Sequence, residues 1–172
     1  MVPMTSSSES VSLLYFKDII ARFGKLEKML REFFTDFVLV AQDEGRHFTL
    51  LAARLEEIGS HYGALPAHDG LWDSATATSQ DLLARWAIEH CVHEERVVYP
   101  EEITHCAAGV KWFKYLCARS KHPKFTNNSK ESDDSNEVII NKFHSVVREH
   151  FRGPLKSPFN AEARKTAGMN LL

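Results

Sequence analysis

A long run of apolar residues at helical spacing dominates this chain. Phe34, Phe37, Val38, Ala41, Phe48, Leu51, Leu55 and Ile58 form one stripe of a helix expected over roughly Leu30 to Ile58, because residues three and four apart share a face. Gly59 stands where such a helix would end, since glycine accepts the left-handed backbone of a helix C-terminus. A stripe of that length needs other helices to cover it. It also carries an interruption: between Ala41 and Phe48 it passes through Glu44 and His47. An ionised carboxylate on a buried face is costly unless its charge is compensated.

The remainder of the chain reads as helix as well. Val11, Leu14, Tyr15, Ile19 and Phe23 keep a helical period, with Gly24 as the expected stop. Residues 61–70 hold glycines and a proline and read as a loop. Asp73 or Ser74 can cap a third helix, which runs through Leu82, Leu83, Trp86, Ala87 and His90 to about Arg96. Pro100 suits a helix start and not a helix interior, so a fourth helix is expected from there to about Ala118. Polar residues 120–136 read as a flexible loop. A short amphipathic helix follows, with Val138, Ile139, Phe143, Val146 and Val147 at helical spacing, then an irregular tail whose Phe and Leu can dock on a bundle. The first ten residues read as a flexible end. With no convincing alternating strand, the fold class is all-α. The expected organisation is a flexible N-terminus at 1–10, a helical bundle over 11–119, the loop at 120–136, and a C-terminal helix with a docking tail over 137–172.

The Glu44/His47 spacing recurs. DEGRHF holds Glu44 and His47, and EEITHC holds Glu102 and His105. Three residues along a helix turn about 300° and rise about 4.5 Å, so each Glu lies beside its His. The second pair also sits on an apolar stripe, formed by Val98, Glu102, His105, Gly109, Trp112 and Leu116. A cation between helices would compensate both carboxylates and use both imidazoles. Two inward E-x-x-H pairs plus one Glu from each of two further helices make the di-iron or di-manganese carboxylate site of ferritin-like bundles. On the third helix Glu89, Glu94 and Glu95 compete for the single position, and Glu94 is preferred because it continues the stripe of Leu83, Trp86 and His90. On the first helix only Glu9 and Glu27 are available, and Glu9 is the candidate. A rival zinc site could draw on Glu89, His90, Cys91, His93 and Glu94, although the H-E-x-x-H order of zinc proteases is absent.

Bulk composition narrows the function classes. Hydrophobic residues at 44% and charged residues at 26% are ordinary for a globular domain, and 172 residues suffice for a real core. A formal net charge of −2 gives no support to a nucleic-acid surface. No apolar run has the length of a membrane span. Cys91, Cys106 and Cys117 lie in apolar helical stretches without a C-x-x-C, which fits buried reduced thiols in an intracellular, cytoplasmic setting. Residues 1–10 have neither a basic start nor an apolar run of the signal-peptide kind.

The run from Phe33 to Arg96, containing FFTDFVLVAQDEGRHFTLLAARLEEIGSHYG, LPAHDGLWDSA and LLARWAIEHCVHEER, resembles the ferritin-like family called domain of unknown function 455. The later YPEEITHCAAGVKWFKYLC and HFRGPLKSPFNAEARKTAG resemble it too, so the likeness covers most of residues 33–167. It implies an antiparallel four-helix bundle with a di-metal site, whose ligands map onto Glu44, His47, Glu94, Glu102 and His105. Two departures stand out. The family's opening helix carries a His-Ile-Glu stretch, where this chain has Ser7-Ser8-Glu9-Ser10-Val11. Family members also have a longer stretch between the third-helix Glu and the fourth-helix E-x-x-H, whereas Glu94 and Glu102 here are eight residues apart (102 − 94 = 8). The resemblance therefore implies a shortened member with an incomplete bundle and a weak metal site. The functions this suggests are a di-iron oxidoreductase acting on a small-molecule substrate, a metal-binding bundle without turnover, or a non-catalytic interaction module that self-associates through unburied stripes. Two iron or manganese ions are expected, ahead of zinc.

Overall fold

The structure is a computed structural model and describes residues 17–65, 70–93, 102–121, 133–153 and 161–168. Every regular element among the described residues is helical. The chain divides into two compact units, Met1–Thr76 and Ala77–Leu172.

The first unit contains α1, which is wound with wide i→i+5 hydrogen bonds over Ile19–Phe23 and continues as Gly24–Leu26, and the long α2, Arg31–Glu57. Gly24 is not the stop expected of it. The helix passes through it and ends with Lys28, whose φ of 47° is left-handed. Lys28 N–H donates to the Lys25 carbonyl (3.3 Å) and Met29 N–H to the Gly24 carbonyl (3.2 Å), the paired bonds of a Schellman end. Gly24 serves packing instead: a Cβ there would meet the Phe34 ring at 2.5 Å. Across this contact Ile19, Phe23, Phe33 and Phe37 are buried, with the Phe33 and Phe37 ring centroids 4.9 Å apart.

The long helix forms over nearly the expected span and ends at Gly59 as expected. Gly59 has φ 77°, its N–H donates to Glu56, and Ser60 N–H donates to Leu55. The buried face is rotated from the expected stripe. Phe33, Phe37, Val40, Ala41 and Glu44 are buried while Val38 is exposed, and further along the helix Leu51 and Ile58 are exposed as well.

The expected third helix is two helices. α3, Gly70–Ala77, stops before a turn at Thr78–Gln80. α4 then begins at Leu82, and its cap is Asp81, whose carboxylate accepts from Ala84 N–H at 3.0 Å. Asp81, rather than Asp73 or Ser74, therefore satisfies the first exposed donors of this helix. α4 runs as Leu82–Arg85 and continues with i→i+5 winding as Trp86–His93. Every residue from Ala84 to Val92 is buried, the mark of a helix covered on all sides. α5, Glu102–Lys121, packs on it and buries Cys106, Val110, Trp112, Phe113 and Leu116. α6, Asp133–His150, covers α4 with Ile139, Phe143 and Val146, and Phe143 meets Phe113 edge-on at 5.6 Å. It starts at Asp133, inside the stretch expected to be loop. The tail is not wholly irregular: α7, Ala161–Thr166, docks on α5. Cys91, Cys106 and Cys117 are buried free thiols, as expected. Among the described residues no helix is long and apolar enough to cross a membrane.

Candidate metal centre

In the first unit, α2 carries Glu44 and His47. Glu44 is buried and His47 is half-buried. Helical spacing stacks them, with His47 Nδ1 4.0 Å from Glu44 Oε1. On the other side of the ring, His47 Nε2 lies 3.3 Å from Arg46 Nη2. Arg46 Nε in turn meets Asp43 Oδ1 at 3.3 Å. A guanidinium donates and never accepts, so Nε2 accepts and the proton of a neutral His47 ring sits on Nδ1.

In the second unit, α5 carries Glu102 and His105 on the stripe expected for them. His105 is fully buried, and its Nδ1 is 2.9 Å from Glu102 Oε2. Gly109 follows one turn later, and a Cβ on it would collide with the Cβ of His90. The helices α4 and α5 therefore approach closely at His90 and Gly109. His90 has no exposed surface. Burial pushes its imidazole down to about 3, helped by the neighbouring His105 and Arg85 and opposed by Glu102. Arg85 is buried as well, and its Nε donates to the buried Thr78 hydroxyl at 2.9 Å. Glu89, one helical turn beyond Arg85, is a further buried carboxylate.

The buried ionisable groups of the described chain are thus Glu44, Glu89, Glu102, Arg85, His90 and His105. Of these, Glu44 in the first unit, and Glu102 with His105 in the second, are buried residues of the kinds that could hold a metal ion. Two carboxylates and an imidazole suit iron, manganese or zinc. Glu94 and Glu9, expected as further ligands, lie outside the described residues. Of the rival zinc set, Glu94 lies outside the described residues, and among the described residues the group that could hold a metal does not include Glu89, His90, Cys91 or His93; the His93 ring meets Phe151, centroids 5.9 Å apart. Arg85 had no signal in the sequence beyond its place in an apolar helix. His90 had one, its position on the α4 stripe.

An uncharacterised protein of Haemophilus influenzae is 39% identical over 83 residues, which are 46% of this chain. The chain spans only 29% of that relative's length. No solved structure matches. The model of the family described as "Protein of unknown function (DUF455)" matches in two segments, residues 6–98 and 95–171. The chain belongs to the DUF455 family.

Proposed function

We propose that this protein is a ferritin-like helical bundle built around a carboxylate metal centre, with Glu44, His47, Glu102 and His105 as ligands and Glu94 and Glu9 as the carboxylates completing a di-metal set. The observation that carries this reading is the pair of Glu/His turns, each with a buried carboxylate. In each, the imidazole Nδ1 faces the carboxylate three residues before it. A protein interior tolerates buried carboxylates poorly unless cations accompany them. The described core holds three such carboxylates, Glu44, Glu89 and Glu102, beside one buried guanidinium, Arg85. A divalent cation would add to the compensation of such carboxylates. Bound iron or manganese would provide an electrophile and a redox centre, and an O₂-dependent oxidation of a small molecule is the reaction class such a centre serves. The two-part family match, with its segments meeting at 95–98, supports a shortened junction between α4 and α5. A shortened junction predicts weaker metal binding than a complete di-metal set gives.

Anaerobic loading with Fe(II) or Mn(II), followed by elemental analysis and then oxygen uptake, tests the reading. Metal retained after desalting with oxygen uptake supports the oxidoreductase. Metal without uptake leaves a binding protein, and no metal defeats the proposal.

A second reading, a non-catalytic module that self-associates, is favoured by one observation. Leu51 and Ile58 continue the buried face of α2 yet are exposed by 47% and 61%. Concentration-dependent elution on size exclusion, without bound metal, is its signature.

A further inference from the structure

We infer that Arg46 competes with metal for His47, so that loading the centre requires Arg46 to let go of the ring. The inference rests on the metal reading above, and its evidence lies wholly on α2. Nδ1 of His47 faces Glu44, so a cation shared with Glu44 binds at Nδ1. Nε2 faces Arg46, which can only donate to it. A neutral imidazole carries one proton. With the proton on Nδ1, the ring accepts from Arg46 but offers no lone pair toward Glu44. With a cation on Nδ1, the proton must sit on Nε2, where it opposes the guanidinium N–H. The two states exclude each other.

The balance between them is simple. On loading, the ring stays neutral: the Nδ1 proton leaves to solvent, Nε2 takes one up, and the Arg46–His47 hydrogen bond breaks. The new Nε2–H needs an acceptor. Asp43 lies four residues before His47, on the same side of the helix, and its carboxylate is the group that Arg46 now holds at 3.3 Å. A ligand histidine commonly donates its second ring N–H to a carboxylate. Asp43 thus serves Arg46 in the metal-free state and His47 in the loaded one. Arg46 is a positioning residue with a negative effect on affinity, and the sign separates this role from a supporting one. If Arg46 merely held the ring in place, its removal would weaken binding.

The test uses the full-length protein with Zn²⁺, a diamagnetic probe. Long-range ¹H–¹⁵N spectra of the imidazoles, with His47 assigned from His47→Gln, read the tautomer directly. The metal-free wild type should show the proton on Nδ1, and the zinc form should show it on Nε2. Calorimetric zinc titration should give Arg46→Ala an affinity about threefold tighter than wild type, the scale of an exposed charged contact. Arg46→Lys, which keeps a donor, should fall between them. Weaker binding in Arg46→Ala, or a metal-free ring protonated on Nε2, overturns the inference and leaves the metal centre standing. Failure of both proteins to bind zinc defeats the metal reading and this inference with it.

Discussion

The two Glu/His pairs share a spacing and differ in almost everything else. In α2 the ring is half-buried, 4.0 Å from its carboxylate, and touched by an arginine on its outer edge. In α5 the ring is fully buried, 2.9 Å from its carboxylate, and sits beside the buried His90, which itself feels the charge of Arg85. The glycines of the two helices differ in the same way. Gly45, inside the first pair, has open space where a Cβ would go, whereas Gly109, after the second, has His90 there. The comparison teaches that equal spacing does not make equal surroundings. The α5 pair is part of a packed core whatever it binds, and the α2 pair can be changed at little structural cost.

If that contrast is sound, the largest effect should come from His105→Ala in metal-free protein. It removes one member of a buried pair and leaves Glu102 uncompensated, a loss of about 3–5 kcal/mol in urea unfolding. His47→Ala should cost less than about 1 kcal/mol, because its contact is long and partly wet. Equal losses would break the comparison. Next, Gly109→Ala should destabilise by about 1–3 kcal/mol through overpacking against His90, seen as a lower thermal midpoint. A more gradual effect, spread over several pH units, is carried by pH. The folded His90 ring, held at about 3 instead of 6.5, stays neutral while the unfolded chain gains a proton. Stability should therefore fall as pH drops from about 6.5 toward 3, by at most about 1.4 kcal/mol per pH unit. His90→Gln should flatten that part of the profile. The smallest effect has the opposite sign: Gly45→Ala should stabilise by about 0.5–1 kcal/mol, since alanine costs a helix interior less than glycine and nothing obstructs it.

Much of this was readable in the residues alone. The long α2 and its Gly59 end followed from periodicity and the left-handed preference of glycine, and the stripe from Glu102 to Leu116 followed from spacing. Other features depend on contacts that no single segment encodes. Phe33 and Val40 lie one and two residues from Phe34 and Val38, so periodicity left the buried face ambiguous by one or two residues. Gly24 looks like a stop but is a point of close approach to Phe34, while Lys28 takes the left-handed turn. The break after α3 had a local sign, Asp81 before an apolar run, masked by the apolar period that continues from Ala75 to Leu82. Arg85 looks like an ordinary polar residue of an amphipathic helix, and His90 is set apart only by its place on the α4 stripe. Their burial arises because α5 and α6 both pack on α4.

The central proposal is that the two Glu/His pairs bind metal. The most direct test is metal content per chain, by elemental analysis after anaerobic loading and desalting, in wild type, Glu44→Gln and Glu102→Gln. The proposal predicts metal in the wild type and a loss of metal in each variant. If both variants keep all of the metal held by the wild type, or if the wild type holds none, the account is wrong.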